Sequence, residues 1–248
     1  MITVDKISKS FGEVKAVKEV SLTAEDGKIT ALLGANGAGK TTSMRMIYAL
    51  IKPETGVVTV DGINSSDDPV AARARMGVLP DARGLYLRLT ARENMEYFGR
   101  LQGMSEVDIK NRSDELIERL GMEKFADRPT DGFSQGQRVK VAIARAIIHD
   151  PQNILLDEPT NGLDVMSTRA IRAFLREEKA RGKCVLFSSH VMQEVSAVCD
   201  EITVIDAGRV RAKGTEQELI AMTSENNLED AFVNLVTQNV NSEGGTQC

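Results

Sequence analysis

Gly34-Ala35-Asn36-Gly37-Ala38-Gly39-Lys40-Thr41 is the stretch that decides how this chain folds. It fits the pattern G-x-x-x-x-G-K-[ST], in which glycines let successive backbone N–H groups turn inward around a phosphate. Gly34, Asn36, Gly37 and Gly39 form the cradle, Lys40 is placed to reach the β- and γ-phosphates, and Thr42 stands beside it. The Thr41 hydroxyl is placed to ligate Mg²⁺. The apolar run Ile29-Thr30-Ala31-Leu32-Leu33 leads into the loop as a short strand, and the pattern behind it predicts a helix over 40–51, stopping before Pro53. Such a helix points its N-terminus, the positive end of its dipole, at the bound anion.

Working outward, 2–11 and 17–23 read as strands separated by Gly12, and 57–60 as a further strand turned by Asp61-Gly62. The middle reads as helical. Thr90 and Glu93 make a capping box, Ser105 caps a helix running to Leu120 and closed by Gly121, and a third helix covers about 135–149. His149 is thereby placed at a helix C-terminus, where a positive charge suits the dipole. The last third alternates strand and helix: 154–156, 165–180, 184–187, 191–198 and 202–205. Short apolar strands alternating with helices imply an α/β fold with a mostly parallel central sheet buried on both faces. Residues 243–248 read as a frayed tail.

The chain has 248 residues, a formal charge of −5, 42% hydrophobic and 27% charged residues. That composition belongs to a globular protein and excludes disordered or collagenous chains. The longest stretch free of Asp, Glu, Lys and Arg runs only from Ala231 to Ser242, too short for the roughly 20 apolar residues of a membrane-crossing helix. The start, Met1-Ile2-Thr3-Val4-Asp5, has neither the basic nor the apolar region of a signal peptide. An acidic balance without a basic run argues against nucleic acid as the partner. Three cysteines, Cys184, Cys199 and Cys248, lack the spacing of a disulfide framework or a zinc site, and a reducing cytosol is the expected compartment.

Asn153-Ile154-Leu155-Leu156-Asp157-Glu158 is a buried strand ending in two acids. At a strand tip near phosphates, Asp157 can hold Mg²⁺ through its water shell, and Glu158 can accept a proton from an attacking water. About twenty residues earlier, Phe133-Ser134-Gln135-Gly136-Gln137 opens the helix beginning Arg138-Val139-Lys140. Ser134 at a helix N-terminus, with Gly136 allowing close backbone approach, makes a second anion site.

This segment resembles the signature motif of ABC-type ATPases, usually written LSGGQ, with Gln135 in place of a glycine. The resemblance covers residues 2 to about 220. It implies a P-loop NTPase with an N-terminal antiparallel β subdomain and an inserted helical subdomain. It further implies a homodimer in which Ser134, Gly136 and Gln137 of one subunit close over the ATP and Mg²⁺ of the other. Pro159-Thr160-Asn161-Gly162-Leu163-Asp164 looks like the D-loop, in which Asp164 would help couple the two sites. Ser188-Ser189-His190 looks like the switch-histidine loop, His190 contacting the γ-phosphate and helping to orient the water with Glu158; these two and Lys40 are the expected catalytic residues. Phe11 resembles the aromatic that stacks on adenine. The family usually carries Gln where Asp81 stands, after the strand 76–79; Asp81 cannot donate as Gln does but can accept from a magnesium-bound water.

The segment 79–94 and Val191-Met192-Gln193-Glu194-Val195 are similar to NatA-type ATPase subunits of bacterial sodium exporters. That likeness implies export through a separate transmembrane permease subunit, with Na⁺ as cargo and drugs or other small solutes as the alternative. The chain is then peripheral on the cytoplasmic face, touching membrane only through its partner. Between residues 70 and 100, Arg73, Arg75, Arg83, Arg88, Arg92 and Arg100 outnumber Asp81, Glu93 and Glu96, beside the place where the family docks the partner's cytoplasmic helix. A soluble ABC ATPase acting on ribosomes or DNA usually carries two ATPase units or a long coiled-coil insertion; one phosphate loop is present here and neither addition. A GTPase would want N-K-x-D, which does not occur. The expected organisation is an ATPase domain over 1–223, with a helical subdomain inserted at about 87–150, then a C-terminal helix and flexible tail over 224–248.

Overall fold

The computed structural model describes residues 1–81 and 84–237. Arg83, Cys248 and the tail 243–248 lie outside the described residues. Along the chain come β1 (Ile2–Phe11), β2 (Val14–Ala24), β3 (Ile29–Leu33), α1 (Lys40–Ile47), β4 (Thr55–Val60), β5 (Ile63–Asn64), α2 (Pro69–Ala74) and β6 (Met76–Leu79). There follow α3 (Ala91–Leu101), α4 (Glu106–Arg119), α5 (Gln135–Ala146), β7 (Asn153–Asp157), α6 (Val165–Ala180), β8 (Cys184–Ser189) and α7 (Met192–Val198). The described chain ends with β9 (Glu201–Asp206), β10 (Arg209–Gly214), α8 (Glu216–Thr223) and α9 (Leu228–Thr237).

β2, β1, β4 and β5 form an antiparallel sheet in that order. β1 and β2 carry irregular positions at Lys6 (φ 47°) and Glu19 (φ 53°), and the amides there donate to the Ser21 and Ser8 hydroxyls. These serines satisfy donors that the ladder would otherwise leave open. The second sheet runs β10-β9-β3-β8-β7-β6, parallel throughout except for the edge strand β10. β3, β7 and β8 are buried at every residue, which is why each reads as a mainly apolar run without polar alternation.

Alternation across this sheet sorts its side chains into two cores. Ile29, Ala31, Leu33, Ile154, Leu156, Val185 and Phe187 pack with α3 to α7 and α9. Leu32, Leu155, Cys184 and Leu186 pack with α1 and the antiparallel sheet. Period-two alternation in a sheet covered on both sides puts a wall between the phosphate-loop helix and the helical subdomain. The two communicate at the carboxyl ends of the strands, where the loops meet.

The helical subdomain is fixed by polar contacts as well as packing. The Thr90–Glu93 capping box is formed, with Glu93 N donating to Thr90 Oγ1 at 3.1 Å and Thr90 N to Glu93 Oε2 at 2.8 Å. Buried Asn94 donates to the Tyr86, Leu89 and Thr90 carbonyls and accepts from Tyr86 N, pinning the segment that enters α3. Arg119 of α4 pairs with fully buried Glu178 of α6, and Arg112 reaches Asp150 at 2.8 Å.

Two helices end earlier than their apolar patterns. α1 stops at Ile47 because Ala49 (φ 56°) turns left-handed and Leu50 N folds back to the Arg45 carbonyl at 2.8 Å. α5 stops at Ala146, and Asp150 (φ 51°) closes the turn that follows. His149 therefore does not cap a helix dipole. It sits beyond the helix with both ring nitrogens lacking a hydrogen-bond partner among the described residues. Burial pushes its pKa down, Arg112 and Lys183 adding to that while a polar contact with the Met76 backbone and the charge of Asp150 oppose it.

This corrects the expectation of a charged His149 and carries a pH dependence. A histidine whose folded pKa is depressed leaves the unfolded chain to take the proton first, from about pH 6.5 downward. Stability present above that pH is lost on acidification, at a slope of at most about 1.4 kcal/mol per pH unit. His149→Gln is expected to show a smaller fall in Tm than the wild-type chain between pH 7.5 and 5.5. Parallel Tm curves for the two proteins would refute it.

Candidate functional site

The phosphate loop is the turn between β3 and α1, and its backbone is held in place from three directions. Gly34 N donates to the Ser189 carbonyl of β8 at 3.2 Å. A Cβ on Gly34 would lie 2.4 Å from the Ile205 carbonyl, and one on Gly39 2.7 Å from the Ala16 carbonyl, so β9 and β2 close in where only glycine fits. Gly39 (φ 104°) is the N-cap of α1 and offers no side chain to the first amides of the helix. Those donors are left open to an anion. They face a cavity of about 230 Å³ lined by Asn36, Gly37, Gly39, Lys40, Thr41, Thr42, Ala16, Glu158 and Asn161.

Lys40 is buried in this cavity. Its Nζ donates to the Gly34 and Ala35 carbonyls at 2.8 and 3.1 Å and lies 3.2 Å from Glu158 Oε1. The other carboxylate oxygen, Oε2, is 2.8 Å from His190 Nδ1. Glu158 thus stands between a cation and a histidine. Its backbone is left-handed (φ 48°), held by Glu158 N donating to Ser188 Oγ at 3.0 Å. The same Ser188 hydroxyl donates to Asp157 Oδ1. One serine therefore orients both acids at the end of β7.

Asp157 is fully buried, and burial pushes its carboxyl pKa up, the Ser188 and Thr41 hydroxyls partly offsetting this. Among the described residues its Oδ2 has no hydrogen-bond partner. A desolvated carboxylate with one oxygen to spare, beside a threonine hydroxyl and a phosphate cradle, fits a hard cation. No group of three or more His, Cys, Asp and Glu able to hold a metal occurs among the described residues. That donor set suits Mg²⁺, which is commonly held by one or two carboxylates together with substrate phosphates and water.

The segment 133–137, expected to hold a second anion, opens α5. Ser134 is the N-cap, accepting from Gln137 N at 3.3 Å, while Gln137 Oε1 accepts from Ser134 N at 3.0 Å. The close approach that Gly136 permits in this chain is to α6, since a Cβ there would lie 2.3 Å from Ser167 Oγ. Asp164 caps α6, its two oxygens accepting from Ser167 N and Ser167 Oγ, both at 2.8 Å. Gln135 lines a larger cavity of about 650 Å³ with Asp81, Gly84, Leu85, Leu87, Phe133, Arg138 and Asn161. Ser134 and Lys40 are not brought into one cavity; Asn161 is the residue that lines both.

Two further sequence candidates sit apart from the phosphate cradle. Asp81 is paired with Arg45 of α1, both carboxylate oxygens 3.3 Å from Nη2. Phe11 ends β1, the residue 52% exposed, with Lys9 Nζ 5.9 Å from the ring centre, outside the lining of the phosphate cavity.

Sequence reasoning gave no role to Glu194, which accepts from Thr160 Oγ1 and, at 3.3 Å, from Ser189 Oγ, joining α7 to the loop after β7 and to the end of β8 just before His190. Nor did it single out Arg145, which donates to the Gly84 carbonyl at 2.6 Å and lies 4.6 Å over the Phe98 ring. No short motif announces either. Beside Phe98, Tyr86 and Tyr97 pack edge-on at 5.3 Å, and an apolar groove of about 470 Å³ opens between Tyr86, Leu87, Arg88, Leu89 and Tyr97. No helix among the described residues is long and apolar enough to cross a membrane.

Residues 17–161 match the profile of the ABC transporter family. The chain is 45% identical to the ABC transporter ATP-binding protein NatA of Bacillus subtilis, over 97% of this chain and 100% of that one. It is 32% identical to the linearmycin resistance ATP-binding protein LnrL of Bacillus subtilis, over 97% and 76%. Among solved structures, an ATP-binding subunit of an ABC transporter superimposes with a TM-score of 0.87 at 28% identity, covering 95% of this chain and 99% of that one. A dimeric ATP-binding cassette in a post-hydrolysis state with ADP and Pi superimposes at 0.78 and 28% identity, over 87% and 98%. A glycine-lined helix N-terminus with a lysine, two acids and a histidine converging on it, carried on a sheet and helices shared with these cassettes, has one reading: this chain is an ATP-binding, ATP-hydrolysing subunit of the ABC transporter family.

Proposed function

We propose that this subunit powers export through a separate transmembrane permease, working as a homodimer that closes around two ATP. The observation that carries the catalytic part is the Glu158 carboxylate, split between Lys40 and His190 at the mouth of the phosphate cradle. Incoming phosphates compete for Lys40 and draw its ammonium off Glu158 Oε1. Glu158, held at Oε2 by His190, then accepts the proton of an in-line water. The amides of Gly37, Gly39 and Lys40 with the Thr41 and Thr42 hydroxyls take the phosphate oxygens, beside Gly34 and Asn36, and Phe11 stacks on adenine. Mg²⁺, arriving with ATP, would neutralise phosphate charge and be held by Thr41 and, through water, by Asp157, with Asp81 joining it on release from Arg45.

Ser134, Gly136 and Gln137 serve the ATP of the facing subunit, and Asp164 lies where the two subunits meet. Ser134, Gly136 and Gln137 lie outside the lining of the phosphate cavity, and Gln135 beside them lines a separate one, which supports a signature that serves another nucleotide. The dimeric cassette among the structural neighbours supports it as well. Hydrolysis ends the closed state, since product charges repel across the interface.

For cargo, Na⁺ is the first reading, supported by the full-length similarity to NatA. Organic solutes are the second, supported by LnrL and by the Nod factor export ATP-binding protein I of Rhizobium meliloti, 39% identical over 88% of this chain. The deciding experiment is reconstitution with the membrane protein that co-purifies, followed by ATP-dependent ²²Na⁺ efflux. Efflux of organic solutes without Na⁺ would select the second reading. No transport of either kind, with ATPase intact, would overturn export.

The permease docks in the groove between Tyr86 and Tyr97, whose floor is apolar and whose cation is Arg88. Arg88→Glu is expected to cut co-purification and partner-stimulated ATPase about tenfold or more, because juxtaposing like charges at an interface costs several kcal/mol. Unchanged co-purification and transport would remove Arg88 from the docking surface.

A further inference from the structure

The signature and the turn that carries the catalytic base are physically joined within one chain, and Gln135 is the joint. Its Nε2 donates to the Asn161 carbonyl at 3.0 Å. The Asn161 amide in turn donates to the Glu158 carbonyl at 3.3 Å. Gly162 (φ 73°) makes room for the amide group of Gln135, since a Cβ there would lie 2.9 Å from Nε2 and 3.4 Å from Cδ. One residue on, buried Gly136 packs on Ser167, which is itself held by Asp164. The start of α5 is therefore fastened to the stretch 158–167 by a side-chain hydrogen bond and by a glycine-sized contact. Asn161 borders both the phosphate cavity and the signature cavity.

We propose that Gln135 is a positioning residue that makes the signature turn and the Glu158 turn of one chain move together. Loading of one phosphate site then sets the signature presented to the other. The inference rests on the reading that the signature serves the facing subunit. A glycine at 135 could not make this link, so the departure from LSGGQ has a chemical content. The Gln135 side chain is exposed, so removing its amide leaves no cavity and no buried polar group.

The test uses the full chain with MgATP and two variants, Gln135→Ala and Gln135→Met, the second keeping the length and losing the N–H donor. Four quantities are compared with the wild type: kcat, the Hill coefficient for ATP, the Kd of the monomer for a fluorescent ATP analogue, and Tm. The expected result is a roughly three- to tenfold fall in kcat, the worth of one neutral hydrogen bond. The Hill coefficient falls from about 2 toward 1 while monomer Kd and Tm stay put. Unchanged kcat and Hill coefficient in both variants overturn the proposal. So does a fall in kcat at an undiminished Hill coefficient, or a weakened monomer Kd, which would place Gln135 in its own nucleotide site. A wild-type chain that hydrolyses ATP without cooperativity also overturns it, while leaving the ATPase intact. A wild-type chain with no turnover would sink the functional reading itself.

Discussion

Glu158→Gln is expected to lower steady-state ATP hydrolysis by about 10²- to 10⁴-fold, the range a positioned general base contributes, while ATP binding is kept. The amide has the size of the carboxylate and cannot take a proton. The turn that presents it does not depend on the side chain, because Ser188 Oγ accepts from the backbone N–H at residue 158 and also donates to Asp157. The geometry around the phosphates survives the change. Binding is retained and has reason to tighten. In the wild-type site Lys40 Nζ lies 3.2 Å from Glu158 Oε1, and phosphates must win it from that carboxylate. Removing the charge removes the competitor. With hydrolysis blocked and ATP bound, the variant should accumulate as an ATP-dependent dimer on size-exclusion chromatography. Normal turnover would show that Glu158 is not the base; lost turnover with lost binding would show that the turn has collapsed.

The residues of this site differ in how legible they are from sequence, and the reason is where their partners lie. Gly34 to Thr41 form one contiguous turn, so the chemistry is written in consecutive residues. β3, β7 and β8 are legible because strands covered on both faces are predominantly apolar, as in Ile154 to Leu156 and Cys184 to Phe187. The Ser188 clamp is not, because its partners lie 30 and 31 residues away and a single serine near the end of a strand announces no partner. The same holds for Glu194 with Thr160, 34 residues apart, and for Arg45 with Asp81, 36 apart. Asp81 reads as a candidate for magnesium's water shell from its place after β6, and only the fold brings Arg45 of α1 to it. Helix ends follow a parallel rule. Gly121 (φ 59°) closes α4 where expected. Ala49 and Asp150 take left-handed conformations that their side chains rarely adopt, so the ends of α1 and α5 were invisible to glycine-based reasoning. His149 accordingly lies beyond the helix end, where burial disfavours the positive charge that a helix C-terminus would favour.

Lys40→Ala should leave a different signature from Glu158→Gln, with the loss falling on binding itself. A charge-assisted hydrogen bond to phosphate is worth about 1.5–3 kcal/mol, roughly 10- to 150-fold in Kd, measurable by titration with a fluorescent ATP analogue. The lower part of that range is expected. Lys40 does not come to the phosphate from water. In the structure its ammonium already has the Gly34 and Ala35 carbonyls and the Glu158 carboxylate as partners, so binding exchanges one set of oxygens for another. The net gain is the difference between the two sets, smaller than for a solvated lysine. This makes the two substitutions interdependent. In the double variant Lys40→Ala with Glu158→Gln, the carboxylate that would repel phosphate in the single Lys40→Ala protein is gone, so the binding loss should be less than in Lys40→Ala alone. Additive effects on Kd would mean that the Lys40–Glu158 contact has no part in nucleotide entry. An unchanged Kd in Lys40→Ala, with turnover lost, would move the lysine from ground-state binding to the transition state.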